Sequence, residues 1–167
     1  FWYLLNLKNL ENKKFFNFSN KNNYVKIFIV LVFFQITFGA FTSGLDAGMI
    51  YQTWPLMNET YFPDDFVSTN NLIGLLNQES FVQFIHRNLA YVITFYTICL
   101  LLYVLYKKLS HLYNAIFFLV LIICIQVFLG ILTLISGVNI IFASMHQLST
   151  IFLIIFTINF YYRSINQ

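Results

Sequence analysis

An all-α bundle spanning a membrane is the fold class this sequence predicts, and three observations predict it. The chain of 167 residues is 59% hydrophobic and only 9% charged, where a soluble domain averages about 25% charged residues. Its apolar residues gather in four runs of roughly 18–26 residues, each long enough to cross about 30 Å of hydrocarbon at 1.5 Å per residue. The runs lack the period-two alternation of a membrane barrel. A soluble domain this apolar would expose large aggregating patches, so soluble classes are excluded. Nucleic acid is excluded as a partner as well, because Lys and Arg flank apolar runs and line no common face.

Residues 1–24 read as an end segment and 25–167 as the bundle. Phe1-Trp2-Tyr3-Leu4-Leu5 is an apolar stub with no basic region ahead of it, so it is not a signal peptide. It reads as the last turn of a helix that begins upstream, and the chain as a fragment lacking its N-terminal part. Residues 6–24, with Lys8, Lys13, Lys14 and Lys21, read as a polar loop. The first run covers about Val25 to Thr42. Residues 44–80 hold both prolines and most of the acids, which marks a long loop. Inside it, Leu72, Ile73, Leu75 and Leu76 suggest a short helix at the interface, and Trp54 suits the same depth. The second run covers Phe81 to Tyr106 and stops at Lys107-Lys108. The third covers Tyr113 to Ser136 and stops at Gly137-Val138-Asn139. The fourth covers Ile140 to Tyr162 and stops at Arg163. Cys99 and Cys124 fall within apolar runs and read as small buried hydrophobes, with no CxxC motif.

Orientation follows from the basic residues. Eight of the nine, Lys8, Lys13, Lys14, Lys21, Lys26, Lys107, Lys108 and Arg163, fall on one side, and only Arg87 falls on the other. The lysine-rich side is expected to be cytoplasmic or matrix, with 44–80 facing out. That places His86 and His146 on the second and fourth helices at matching depth, roughly 8–9 Å below the outer boundary. An ionisable ring within hydrocarbon needs a functional reason. Two of them at one depth suggest a shared ligand with two axial positions, and a haem iron fits, since neutral imidazole is a good iron ligand. The rings would meet if the second and fourth helices pack as neighbours.

The sequence also echoes itself. Gln35-x-x-x-Gly39-x-x-Thr42 in the first run matches Gln126-x-x-x-Gly130-x-x-Thr133 in the third, and each is followed by a helix with a histidine near its outer end. This suggests a duplicated helix pair, which puts a ligand at the repeat interface. Close helix packing explains the same residues without a ligand. Arg87 is a candidate partner for a haem propionate through charge-assisted bonds, or an interfacial Arg reaching for water. Gln147 is a weaker candidate for similar work. Ala40, Gly44 and Gly48 would let a helix or a flat macrocycle come close. Asp46 has nothing specific to mark it as catalytic, and His111, beside Lys107 and Lys108, reads as a solvated loop residue.

These residues add up to a resemblance. Gly44-Leu-Asp-Ala-Gly-Met-Ile-Tyr51, Trp54-Pro-Leu-Met57, Pro63-Asp-Asp65, Val82-Gln-Phe-Ile-His-Arg87, Gln126-Val-Phe-Leu-Gly130 and Met145-His-Gln147 resemble the C-terminal half of the haem A synthase (Cox15/CtaA) family. The resemblance covers nearly the whole chain in order. It implies one of two related four-helix bundles in an enzyme that oxidises a methyl of haem O to the formyl of haem A for cytochrome oxidase. It implies that His86 and His146 hold a haem b, and that no catalytic residue lies in this half. Substrate haem O and a glutamate on which the chemistry depends would belong to the N-terminal bundle. The outer loop lacks cysteines, which resembles the alphaproteobacterial and mitochondrial branch. The expected location is therefore a bacterial inner or mitochondrial inner membrane, with the lipid bilayer, haem O synthase and a second copy of the chain as candidate partners. The alternative function is a cytochrome b-like electron carrier without synthase activity.

Overall fold

The computed structural model describes residues 1–10, 12–15 and 22–165. Six α-helices are present among them: α1 (Trp2–Asn9), α2 (Asn23–Gly44), α3 (Leu72–Leu76), α4 (Glu79–Tyr106), α5 (Tyr113–Ile135) and α6 (Ile140–Ser164). Four of these, α2, α4, α5 and α6, are long and apolar enough to cross a membrane. The fold is an all-α polytopic bundle.

Local chemistry sets the helix ends. After α4 the chain passes through Lys108 at φ 52°, and Leu109 N–H returns to the Val104 carbonyl at 3.0 Å. After α5, Gly137 and Val138 adopt φ 68° and 57°, and Val138 N–H reaches the Thr133 carbonyl at 2.8 Å. Both are left-handed helix stops that satisfy orphan carbonyls. Asn71 and Asn139 cap α3 and α6, each accepting from the backbone N–H two residues on. The four long helices start and stop within about two residues of their expected bounds, the margin by which boundary definitions differ. The N-terminal segment is different. α1 runs on to Asn9, so residues 6–9, expected as loop, are helical. Trp2 explains this: it sits among Phe15, Tyr161 and Tyr162 with ring centroids 5.0–5.6 Å away, and its Nε1–H donates to the Lys13 carbonyl at 2.9 Å. That anchor ties α1 to the Arg163 end of α6, the end expected from the charge pattern to be inner. Lys21 lies outside the described residues.

Around the bundle, α2 packs on α4, α4 on α5, α5 on α6, and α6 closes back on α2. The histidine helices α4 and α6 are therefore diagonal and share few close contacts, which corrects the expectation that they pack as neighbours. The hairpin pairs α2–α4 and α5–α6 form the main contacts, and this leaves the centre of the outer half open.

The inner half is solid. Val25, Phe28 and Val32 of α2 meet Leu100 and Val104 of α4, Ile116 and Leu119 of α5, and Leu153 and Phe160 of α6 in one buried cluster. In lipid such packing is held by dispersion and interhelical bonds, because lipid tails are as apolar as the core. Outward, Phe95, Leu102, Phe117 and Phe128 stand exposed as a lipid-facing belt. Cys99 and Cys124 belong to that belt. They are not buried as expected, because the core face of each helix is taken by larger aliphatic side chains.

The candidate site in the outer half

The outer half of the bundle encloses a cavity of about 490 Å³, lined by α2, α4, α5, α6 and the loop after α2. That is the size range of small-molecule sites. His86 and His146 both line it. Each lies in the second turn of its helix, and each ring is packed against a glycine of the partner hairpin helix. A Cβ on Gly39 would stand 3.0 Å from Cε1 of His86, and a Cβ on Gly130 would stand 3.2 Å from Cε1 of His146. The sequence echo thus has a structural meaning: the same register of α2 and α5 makes room for a histidine ring. Thr42 and Thr133 repeat one another too, each donating its hydroxyl to the carbonyl four residues back at 2.8 Å.

The small-residue stripe Ala40, Gly44, Gly48 does not make a helix-packing face. Nothing lies within 4 Å of a Cβ on Gly44, and Gly48 meets Val138 of the α5–α6 turn. Gly48 permits close approach of that turn, where an added Cβ would stand 3.0 Å from Val138 Cγ2, and the glycine that lets a histidine ring come close is Gly39, one position off the stripe.

The ring Nδ1 atoms of His86 and His146 are both buried with no hydrogen-bond partner. Gln35 Nε2 lies 3.4 Å from His86 Nε2. Among the described residues, no group of three or more His, Cys, Asp or Glu side chains is placed to hold a metal ion. Asp46, with φ 53°, caps the short 3-10 turn Ala47–Met49. Among the described residues it is the one carboxylate lining the cavity. Gln147 also lines it, while His111 lies in the inner turn, away from it.

Arg87 lines the same cavity and also clamps the loop. Its Nη2 donates to the carbonyls of Thr53 at 2.6 Å and Tyr51 at 3.2 Å, and its Nη1 to that of Leu56 at 3.3 Å. Gln83, 2% exposed, adds a bond from Nε2 to the Tyr51 carbonyl at 2.9 Å. Tyr51 in turn directs its hydroxyl at Asp65, 2.8 Å away, and at Asp64. Burial first, then the two carboxylate acceptors, raises the Tyr51 phenol above its ordinary value, so it keeps its proton. Tyr51 therefore joins α4 to the Asp64–Asp65 corner of the loop. Tyr51, Asp64 and Asp65 fall within the motifs of the sequence, but their types and spacing assign them no role. The signal available was a lone Tyr closing a Gly-rich run, which does not specify a partner about a dozen residues away.

A polytopic bundle with a two-histidine cavity is the class that fold and site define. The COX15-CtaA family model, described as a cytochrome oxidase assembly protein, matches residues 1–158. The chain belongs to that family. It is 43% identical over 155 residues to a heme A synthase of Pelagibacter ubique (strain HTCC1062), covering 90% of the chain and 44% of that protein. A heme A synthase of Bartonella quintana (strain Toulouse) is 37% identical over 133 residues, 78% of the chain and 37% of that protein. One of Rickettsia africae (strain ESF-5) is 38% identical over 130 residues, 77% of the chain and 38% of that protein. The chain thus spans less than half the length of these relatives. No solved structure matches it.

Proposed function

We propose that this chain is the cofactor-holding, C-terminal half of a haem A synthase, with a haem b ligated by His86 and His146. One observation carries the reading: two histidines from diagonal helices line one cavity, each seated on a glycine at the same register of a repeated helix pair. The fit rests on the residues present. Two imidazoles alone would leave a bare metal ion mostly uncoordinated. A haem brings four nitrogens of its own and needs two axial ones, and the walls of the cavity are otherwise largely apolar side chains. Arg87 has five N–H donors, and three are spent on loop carbonyls. Its Nε–H is buried without a partner, which leaves a donor for a propionate carboxylate. Gln147, at the same cavity, is a second polar candidate.

His86 and His146 would hold such a haem, which would supply one-electron transfer or structural support. The residues of this chain set its surroundings. Gly39 and Gly130 let the imidazoles pack tightly against α2 and α5. The Arg87–Tyr51 clamp holds the loop at the cavity. Residues 81–162 contain no Asp or Glu, so that stretch offers no buried carboxylate as a general base. The oxidation of haem O is therefore assigned to the remainder of a longer protein, in a bacterial or mitochondrial inner membrane.

The test is to supply the 167-residue chain, alone, with haem, then with haem O, reductant and oxygen. A low-spin haem with no formyl product by mass supports the reading. Formyl product from this chain alone overturns the division of labour and moves attention to Asp46. Haem bound by a full-length protein that makes no haem A would favour the electron-carrier alternative.

A further inference from the structure

The two histidines have unequal surroundings, although the repeat places them alike. On α6, Ser149 and Thr150 follow His146 by three and four residues, and both hydroxyls donate to its carbonyl, at 2.9 and 3.1 Å. Gln126 of α5 donates to Ser149 Oγ at 2.8 Å, Thr150 Oγ1 at 3.3 Å and the His146 carbonyl at 3.4 Å. Its amide is thereby held on the backbone side of His146 and makes no bond to the ring. On α4 the equivalent positions are Leu89 and Ala90, which offer no hydroxyl. Gln35, the counterpart of Gln126, finds no such partner, and its Oε1 is buried without one. Its Nε2 turns instead to the ring Nε2 of His86 at 3.4 Å. Which of the two groups donates depends on the His86 tautomer, and in either case the Gln35 amide stands at the ring nitrogen that iron would take.

We propose that the two axial positions are functionally distinct: His146 is the preset ligand, and His86 is a guarded one whose Nε2 is held by Gln35 until iron takes it. This rests on the haem reading above. Ligation at His86 breaks the long Gln35–His86 hydrogen bond and forms the iron–nitrogen bond. A neutral imidazole keeps its one proton on Nδ1 when Nε2 ligates, so no proton leaves the ring. The His146 ring has no side-chain hydrogen bond for ligation to break, since the Gln126 amide is held on Ser149, Thr150 and the His146 carbonyl. His146 would therefore be the firmer ligand, and the His86 side would be the position that opens to an exogenous ligand. Gln35 is a positioning residue in this scheme, since it acts through His86.

The experiment titrates hemin into the detergent-purified chain and its His86→Ala, His146→Ala and Gln35→Met variants, each first shown to be helical and monodisperse. Spin state, haem retained on gel filtration, and carbon monoxide binding to the reduced form are read. The wild type should give a low-spin haem. His86→Ala should keep most of its haem as a five-coordinate, high-spin form, and His146→Ala should retain at least about fivefold less, the weight of one ordinary hydrogen bond. Gln35→Met should remain low-spin and bind carbon monoxide about fivefold more weakly, because nothing then competes for His86. Gln35→Met carries the test if a histidine variant does not fold. A low-spin wild type with equal retention in the two histidine variants, or with carbon monoxide binding unchanged in Gln35→Met, overturns the inequality alone. A wild type that takes up no haem overturns the haem reading and this inference together.

Discussion

Adding one methyl group at Gly39 tests the glycine cradle directly. In Gly39→Ala the new carbon would stand 3.0 Å from His86 Cε1, about 0.5 Å inside the separation at which two carbons sit comfortably. At Gly130 the same change gives 3.2 Å to His146 Cε1, about 0.3 Å too close. Gly44, the last residue of the same helix α2, has nothing within 4 Å. Replacing a helical Gly by Ala otherwise gains about 0.5–1 kcal/mol, and that is the ceiling for Gly44→Ala. At Gly39 the gain is opposed by overpacking of about 1–3 kcal/mol. The net is a loss of about 0–2.5 kcal/mol, with Gly130→Ala at the milder end. The group that must yield is a ring on the cavity wall rather than backbone. Relief therefore comes from tilting the histidine, and the haem spectrum should change more than stability does. Denaturant titration in detergent, beside the visible spectrum of hemin-loaded protein, reads both quantities. Gly39→Ala as stable as Gly44→Ala, with an unaltered spectrum, would refute the cradle.

Three further outcomes are expected. Arg87→Lys replaces a planar fork by a point charge, so the carbonyls of Tyr51, Thr53 and Leu56 lose their shared donor; amide exchange in residues 51–57 should accelerate, and unchanged exchange would refute the clamp. Tyr51→Phe removes the hydroxyl between Asp64 and Asp65, and it should also remove an alkaline limb of stability. Because the folded phenol is raised, its contribution is complete below the ordinary tyrosine value of about 10 and is lost as pH climbs above it toward the folded value; wild type and Tyr51→Phe with the same alkaline profile would contradict this. In sealed vesicles, Ser68→Cys should react with an impermeant thiol reagent from the outer side, opposite the face of Lys107 and Lys108, and labelling from the lysine side alone would reverse the orientation.

Much of the frame was legible because membrane helices announce themselves by length and by their stops. Lys107-Lys108 and Gly137-Val138-Asn139 end runs that exceed the hydrocarbon thickness, and the structure turns at both. The site was legible in part. The Gln–Gly–Thr echo located the two registers that face histidines, yet it read equally well as helix packing. Only the structure shows each glycine against a ring. What escaped the sequence is long-range. The diagonal placement of α4 and α6 is decided by hairpin packing that periodicity does not encode. The helicity of residues 6–9 depends on Trp2 reaching Lys13, Tyr161 and Tyr162. Which way Cys99 and Cys124 face depends on rotation about helices that are apolar all round. The Tyr51–Asp64–Asp65 corner is a loop contact made by residues that each looked like ordinary interfacial polar groups.

The central claim is that His86 and His146 ligate one iron. The most direct measurement is the low-temperature electron paramagnetic resonance spectrum of the hemin-loaded chain, beside those of His86→Ala and His146→Ala. A low-spin signal of two axial imidazoles in the wild type, lost in each single variant, is the expected result. A low-spin signal that survives either substitution, or a wild type that is high-spin throughout, would contradict the assignment.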